Sequence, residues 1–77
     1  MLIQTTSKRL IELIEDLVKD LKKDQELSKF EKTLILDGAM ILVTSLLNIT
    51  DDETLETVEV LNRIKAEFDL YLILIDD

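Results

Sequence analysis

The chain of 77 residues has no cysteine, histidine, proline or tryptophan, and it has a single glycine. The missing cysteine and histidine exclude disulfides, thiolate chemistry and imidazole metal sites. Tight turns need glycine and proline, so their scarcity favours helices joined by short polar links. Aromatic residues are only 4% of a chain that is 47% apolar, so the core must consist of Leu, Ile and Val. We therefore predict one all-α domain without a covalent or metal cross-link.

The acidic excess is confined to the second half of the chain. Residues 1–32 carry seven basic and seven acidic side chains, whereas residues 33–77 carry two basic and ten acidic ones, which gives the net charge of −8. Such a charge repels nucleic acid and anionic membranes and suits a basic partner. It also keeps a small apolar protein soluble, and this second interpretation stays open.

Hydrophobic periodicity predicts three helices, at about residues 5–24, 29–48 and 51–75. The first and third each carry one apolar stripe with steps of three and four residues. Thr5, Thr6 and Ser7 are candidate N-caps for the first helix, which can begin as early as Leu2. The stripes comprise Ile3, Leu10, Ile11, Ile14, Leu17, Val18 and Leu21 in the first helix, and Val58, Leu61, Ile64, Phe68, Tyr71, Leu72 and Ile75 in the third.

Two capping boxes predict where the later helices start. In this motif a Ser or Thr side chain accepts from the third amide, and a Glu three residues on reaches back. Ser28 with Glu31 marks the start of the second helix, and Thr50 with Glu53 that of the third. Residues 70–75 resemble a buried strand by composition, but they continue the stripe of the third helix, so we favour helix.

The second helix is apolar on nearly every side, and this is the most informative feature of the sequence. Its apolar residues point in three directions, and only Thr33, Asp37, Thr44 and Asn48 form a narrow polar strip. Two neighbouring helices cannot cover such a surface, so we predict that this helix is central and that a second copy of the chain completes the cover. Asp37 either sits in that interface or opens to solvent through the polar strip.

We predict that the homodimer interface combines the second helix with the end of the third. Gly38 and Ser45 lie seven residues apart, where small side chains let another backbone approach. A basic protein partner is expected to bind the acidic start of the third helix. The predicted interface residues are Leu36, Asp37, Gly38, Met40, Ile41, Ser45, Leu70, Ile73 and Leu74, and the predicted partner-binding residues are Asp52, Glu53, Glu56 and Glu59.

Carboxylates are the only candidate chemical groups present in number. Glu12 with Glu15, and Glu53 with Glu56 and Glu59, form ExxE steps. This pattern loosely resembles the magnesium sites of all-helical nucleotide pyrophosphohydrolases, in which neighbouring carboxylates hold hard cations. The resemblance implies a magnesium-dependent nucleotide hydrolase, but a further acidic helix that would complete the site is missing. Glu56 and Glu59 also lie opposite the apolar stripe, so we predict that no catalytic, cofactor or metal site is present.

The expected function is therefore non-catalytic binding of another protein, as an inhibitor, adaptor or regulator in the cytoplasm. An alternative is an inhibitor from a phage or mobile element that mimics nucleic acid with the acidic residues of the third helix. The second alternative is the hydrolase. Direct binding to nucleic acid or to a membrane is not expected, since the charge is negative and the apolar run of residues 34–49 is shorter than the ~20 residues that span a bilayer.

Overall fold

The computed structural model describes the backbone of residues 2–49 and 55–75, and the side chains of residues 7–49 and 56–75. The helices are α1 (Leu2–Lys23), α2 (Lys29–Ile49) and α3 (Leu55–Leu74). The described residues contain no strand, and the three helices pack against one another. The predicted all-α, three-helix fold is thus confirmed, including the helical interpretation of the last apolar segment.

The start of α1 lies at the early end of the expected range. The helix begins at Leu2, so Thr5, Thr6 and Ser7 lie inside it and do not act as N-caps. The capping box predicted at residues 50–53 lies outside the described residues.

The link between α1 and α2 is fixed by short-range hydrogen bonds. The Ser28 amide donates to Glu31 Oε1 at 2.9 Å, and the Glu31 amide donates to Ser28 Oγ at 3.1 Å, so the predicted capping box is confirmed. Before it, the Oδ1 atom of Asp24 accepts from the amides of Glu26 and Leu27, both at 2.8 Å. These two amide hydrogen bonds hold the pKa of Asp24 below its ordinary value of 3.8.

Each helix contributes three residues to the buried core. Their spacing within each helix follows the periodicity of one helical face, which is why the stripes of α1 and α3 could be recognised in the sequence. The core consists of Ile14, Val18 and Leu21 from α1, Leu36, Val43 and Leu47 from α2, and Leu61, Phe68 and Leu72 from α3. Because α2 packs against α1 and α3 with this one face, most of its apolar surface lies outside the core.

Two lysines in the first turn of α2 hold the carboxyl ends of the other helices. The buried Lys32 donates from Nζ to the Asp24 carbonyl at 2.8 Å, just past the end of α1. Lys29 donates from Nζ to the Ile75 carbonyl, also at 2.8 Å, just past the end of α3. Carbonyls at the carboxyl end of a helix lack hydrogen-bond donors within the helix and carry partial negative charge. A lysine ammonium group there donates the missing hydrogen bond and offsets the charge. The start of α2 therefore fixes where both neighbours end.

The Asp24 turn leads to a prediction about acid stability. Because the pKa of Asp24 is lower in the folded chain than in the unfolded one, its contribution is complete above pH 3.8 and is lost as the pH falls through the folded-state pKa. We expect Asp24→Asn to lower the free energy of unfolding at neutral pH, and the difference from wild type to shrink at about pH 3. Urea denaturation at both pH values measures this.

Asp16→Asn is the matched control, since Asp16 is an exposed carboxylate on α1. Its effect on unfolding should be small at both pH values. A difference between wild type and Asp24→Asn that stays constant with pH would show that the charged carboxylate does not stabilise the turn.

Candidate interaction surface

The side of α2 that faces away from α1 and α3 is almost entirely apolar. Gly38 and Ser45 follow its midline, and larger apolar residues flank them on both sides at helical spacing. Ile41, for example, is 67% exposed, which is unusual for isoleucine. We call this surface the outer face of α2; it comprises Leu34, Ile35, Gly38, Ile41, Leu42, Ser45, Leu46 and Ile49.

The outer face bears no charge. Between Thr33 and Ile49 the only charged residue is Asp37, which lies beside the outer face on the flank nearer α3. Asp37 Oδ1 is shielded from water and lies 3.0 Å from Lys65 Nζ on α3. Asp37 thus pairs with a lysine of the same chain. The sequence predicts Asp37 either in the dimer interface or in solvent, and it does not indicate Lys65 as the partner. A molecule docking on the outer face would not have to desolvate an unpaired charge.

Lys65 joins α2 to α3 through two carboxylates. Its Nζ lies 2.9 Å from Asp69 Oδ2, one helical turn along α3, in addition to its contact with Asp37. The hydrogen bonds to Asp69 and then Asp37 raise the pKa of Lys65 above its ordinary value of 10.5, so it stays protonated through the neutral range. All three side chains are about one-third to one-half exposed, so the network is worth little stability.

Shallow grooves lie along the α2–α3 contact near this network. One is lined by Met40, Ile41, Thr44, Ser45, Asn62 and Lys65. The other is lined by Lys29, Phe30, Thr33, Asp69, Leu72 and Ile73. Ile41 and Ser45 therefore belong both to the outer face and to a groove, which makes the outer face continuous with the flank of α3.

The structure brings together part of the predicted interface and removes one member. Leu36 is only 1% exposed and packs in the core, so it offers no surface to a second chain. Met40, Ile41 and Ser45 share a groove, and Gly38 lies beside them on the outer face. Leu70, Ile73 and Leu74 are exposed on α3, where Ile73 reaches the other groove with Phe30.

Phe30 is an exposed apolar residue that sequence reasoning did not assign to the surface. It is 71% exposed in the first turn of α2. Its signal was available, since it lies four residues before Leu34 and eleven before Ile41, which places all three on one side of the helix. Phe30 extends the apolar surface from the outer face towards the end of α3.

The acidic partner-binding residues are only partly described. Glu56 and Glu59 are exposed, and helical spacing places them on the side of α3 opposite its core residues. Arg63 follows one turn after Glu59 on the same side, and Lys65 engages Asp69. The carboxylates therefore do not form an uninterrupted acidic line along α3. Asp52 and Glu53 lie outside the described residues.

The described members of the two ExxE steps do not come together at one site. Within residues 7–49 and 56–75, no three acidic side chains come close enough to hold one metal ion. The starts of α1 and α3 do lie side by side, because Ser7 Oγ and Thr57 Oγ1 are 3.2 Å apart. Glu56 and Glu59 nevertheless point outward from α3, so the sites of the pyrophosphohydrolases have no counterpart among these residues.

By length and composition alone, α2 would be able to cross a membrane. It has 21 residues, more than the apolar run of residues 34–49 suggested, because its first turn carries Lys29, Glu31 and Lys32. A helix in the core of a soluble protein meets the same criterion, and α2 contributes three residues to the core.

No protein-family model matches the chain, and no significant match was found among curated proteins or solved structures.

Gly38 provides a test of the space around the outer face. A Cβ atom added at Gly38 meets nothing within 4 Å in the single chain. Ala favours a helix over Gly, so Gly38→Ala should raise the free energy of unfolding by about 0.5–1 kcal/mol, as measured by urea denaturation.

Gly38→Leu shows whether a second chain packs against this position. Leu also has room in the isolated chain, so its folding should be unimpaired. Where a second backbone packs against Gly38, the larger side chain costs about 1–3 kcal/mol by overpacking, and the assembly weakens in the Leu variant but not in the Ala variant. An unchanged oligomeric state in Gly38→Leu would remove this residue from any interface.

Proposed function

We propose that the chain is a non-catalytic protein-binding module that self-associates through the outer face of α2 and binds a basic partner with the acidic start of α3. The observation that carries the proposal is the outer face itself, an uncharged apolar surface on a fully folded helix. Soluble monomers rarely expose large contiguous apolar patches, and those that exist mark interaction sites.

The free energy available from this surface is sufficient for association. Burying one large apolar side chain contributes about 1.5–3 kcal/mol, and the outer face has six of them. The six are 40–79% exposed in the single chain, so a dimer that buried both sets would gain about 10–20 kcal/mol, which is comparable with or above the ~4–15 kcal/mol that association costs in lost freedom of motion. The neutralised Asp37 adds no large desolvation penalty.

The acidic surface supports a separate role. Residues 51–59 contain five acidic side chains and no basic one, and both described members, Glu56 and Glu59, point to solvent. Such a segment attracts a basic surface and speeds its association at low salt. Because this segment and the outer face of α2 use different residues, one chain can self-associate and hold a partner at the same time.

Ile41→Glu tests self-association. We expect wild type to be a dimer at tens of micromolar, which light scattering distinguishes from the 8.9 kDa monomer, and Ile41→Glu to be a monomer, because an unpaired carboxylate is costly to bury. Leu13→Glu is the matched control: Leu13 is 53% exposed on α1, outside the outer face, so this variant should remain dimeric. Circular dichroism should show intact helices in both. A monomeric wild type would contradict the prediction.

Charge reversal tests the acidic surface. Glu56→Lys with Glu59→Lys should leave the free energy of unfolding within about 0.5 kcal/mol, as for other surface changes. Immobilised wild type should capture a basic partner from a native lysate at about 50 mM salt and release it by about 500 mM salt. The immobilised variant should fail to capture this partner. Glu12→Lys with Glu15→Lys is the matched control, with the same spacing and charge change on α1, and it should retain the partner.

The two alternative functions predict different results for the same variants. A captured protein that is released by competing DNA would favour nucleic-acid mimicry. A magnesium-dependent nucleotide hydrolysis that disappears in Glu56→Lys with Glu59→Lys, with the fold intact, would overturn the non-catalytic proposal.

A further inference from the structure

We infer that two chains pair with their α2 helices antiparallel, with Gly38 of one chain opposite Ser45 of its partner. The inference rests on the proposed self-association and specifies its geometry. The contact is a twofold one whose axis passes between residues 41 and 42, so that each chain presents the same surface to the other.

The pattern on α2 suits a close contact between two helices. Because Gly38 and Ser45 carry the smallest side chains of the outer face, we expect a shallow depression along its midline, with Leu34 and Ile41 on one side and Leu42 on the other. The seven-residue interval keeps both small residues on the line of contact over two turns. In the antiparallel pair, each depression receives the partner's backbone, and each row of large side chains packs against its own copy.

The size of the surface matches what a dimer requires. A standard interface covers ~800 Å² on each partner, and in homodimers about 65% of it is apolar, which amounts to ~500 Å². Full burial of a large apolar side chain corresponds to ~60–120 Å² at the usual free energy per area. The outer face with Phe30 and Ile73, which are 71% and 75% exposed, therefore supplies about the required area.

Charge distinguishes the antiparallel pair from a parallel one. Five acidic residues and no basic one lie between residues 51 and 59, directly after the end of α2 in the sequence. Parallel helices would place these segments of the two chains side by side. Antiparallel helices separate them by roughly the length of α2, about 30 Å, several times the ~8 Å over which charges interact at physiological salt. The helix dipoles also oppose one another favourably in the antiparallel arrangement.

A membrane is a less suitable occupant of the same surface. A helix that lies in the membrane surface usually carries Lys and Arg along its polar side. The flank of the outer face carries Asp37 and Asp69 around a single lysine, and the chain is strongly acidic. Insertion of α2 across a bilayer would also remove Leu36, Val43 and Leu47 from the core.

Cysteine cross-linking tests the pairing, and the chain has no cysteine of its own to interfere. Gly38→Cys and Ser45→Cys are prepared separately and oxidised alone and as an equimolar mixture, and products are read on non-reducing gels and by mass spectrometry. A disulfide needs Cα atoms within ~7 Å. In the antiparallel dimer, equal positions lie ~10 Å apart along the axis, so we expect a disulfide between the two variants in the mixture and almost none in either variant alone.

Other outcomes distinguish failure of the antiparallel pairing from failure of the proposed self-association. Efficient self-linking of Gly38→Cys alone would show parallel helices and overturn the pairing, while self-association would stand. If no cysteine sample forms a cross-link and light scattering shows the wild type to be monomeric, both the antiparallel pairing and the proposed self-association are overturned. Cosedimentation of the wild type with phosphatidylcholine vesicles, with loss in Ile41→Glu, would assign the outer face to a lipid surface and overturn the pairing as well.

Discussion

The fold depends on how much of α2 two neighbouring helices can cover. The buried core takes three residues from each helix, and on α2 the partly buried Ala39 and Met40 pack against it as well. A third neighbour would be needed to bury the other side, and the described chain has none. The apolar residues on the outer face, which are 40–79% exposed, therefore contribute only part of their burial to the single chain. Their presence is consistent with the proposal that this helix also binds another surface.

The same division explains the distribution of charge. α1 pairs opposite charges along its solvent side, as Arg9 and Glu12 do at 4.0 Å, which is typical of a surface that stays in water. α2 places its charges in its first turn, where Lys29 and Lys32 serve the ends of other helices. Lys65 neutralises the one acidic residue farther along. Everything charged near the outer face thus has a structural partner in the same chain.

Local signals in the sequence predicted most of the fold. The stripes of α1 and α3 and the capping box at Ser28 each depend on residues a few positions apart, so they could be recognised without tertiary information. The burial of Leu36 in the core was not foreseen, because a helix that is apolar all round has no periodicity to mark which face packs inward. Lysine is rarely buried, so the burial of Lys32 was not expected from the sequence. It depends on the Asp24 carbonyl, which the α1–α2 turn places beside Lys32 Nζ. Lys65 joins residues of two helices, a contact that depends on the packed arrangement.

The lysine that holds the end of α1 also has a consequence for the order of folding. Lys32 and its carbonyl partner Asp24 are separated by only eight residues, so the α1–α2 hairpin closes through contacts that are local in the chain. The corresponding tie between Lys29 and Ile75 spans 46 residues and forms only when α3 docks. Local contacts cost less chain entropy and form faster, so we expect the hairpin to lead and α3 to complete the core. Until α3 docks, two apolar surfaces of α2 are open at once, and in this interval the nascent chain is most exposed to aggregation.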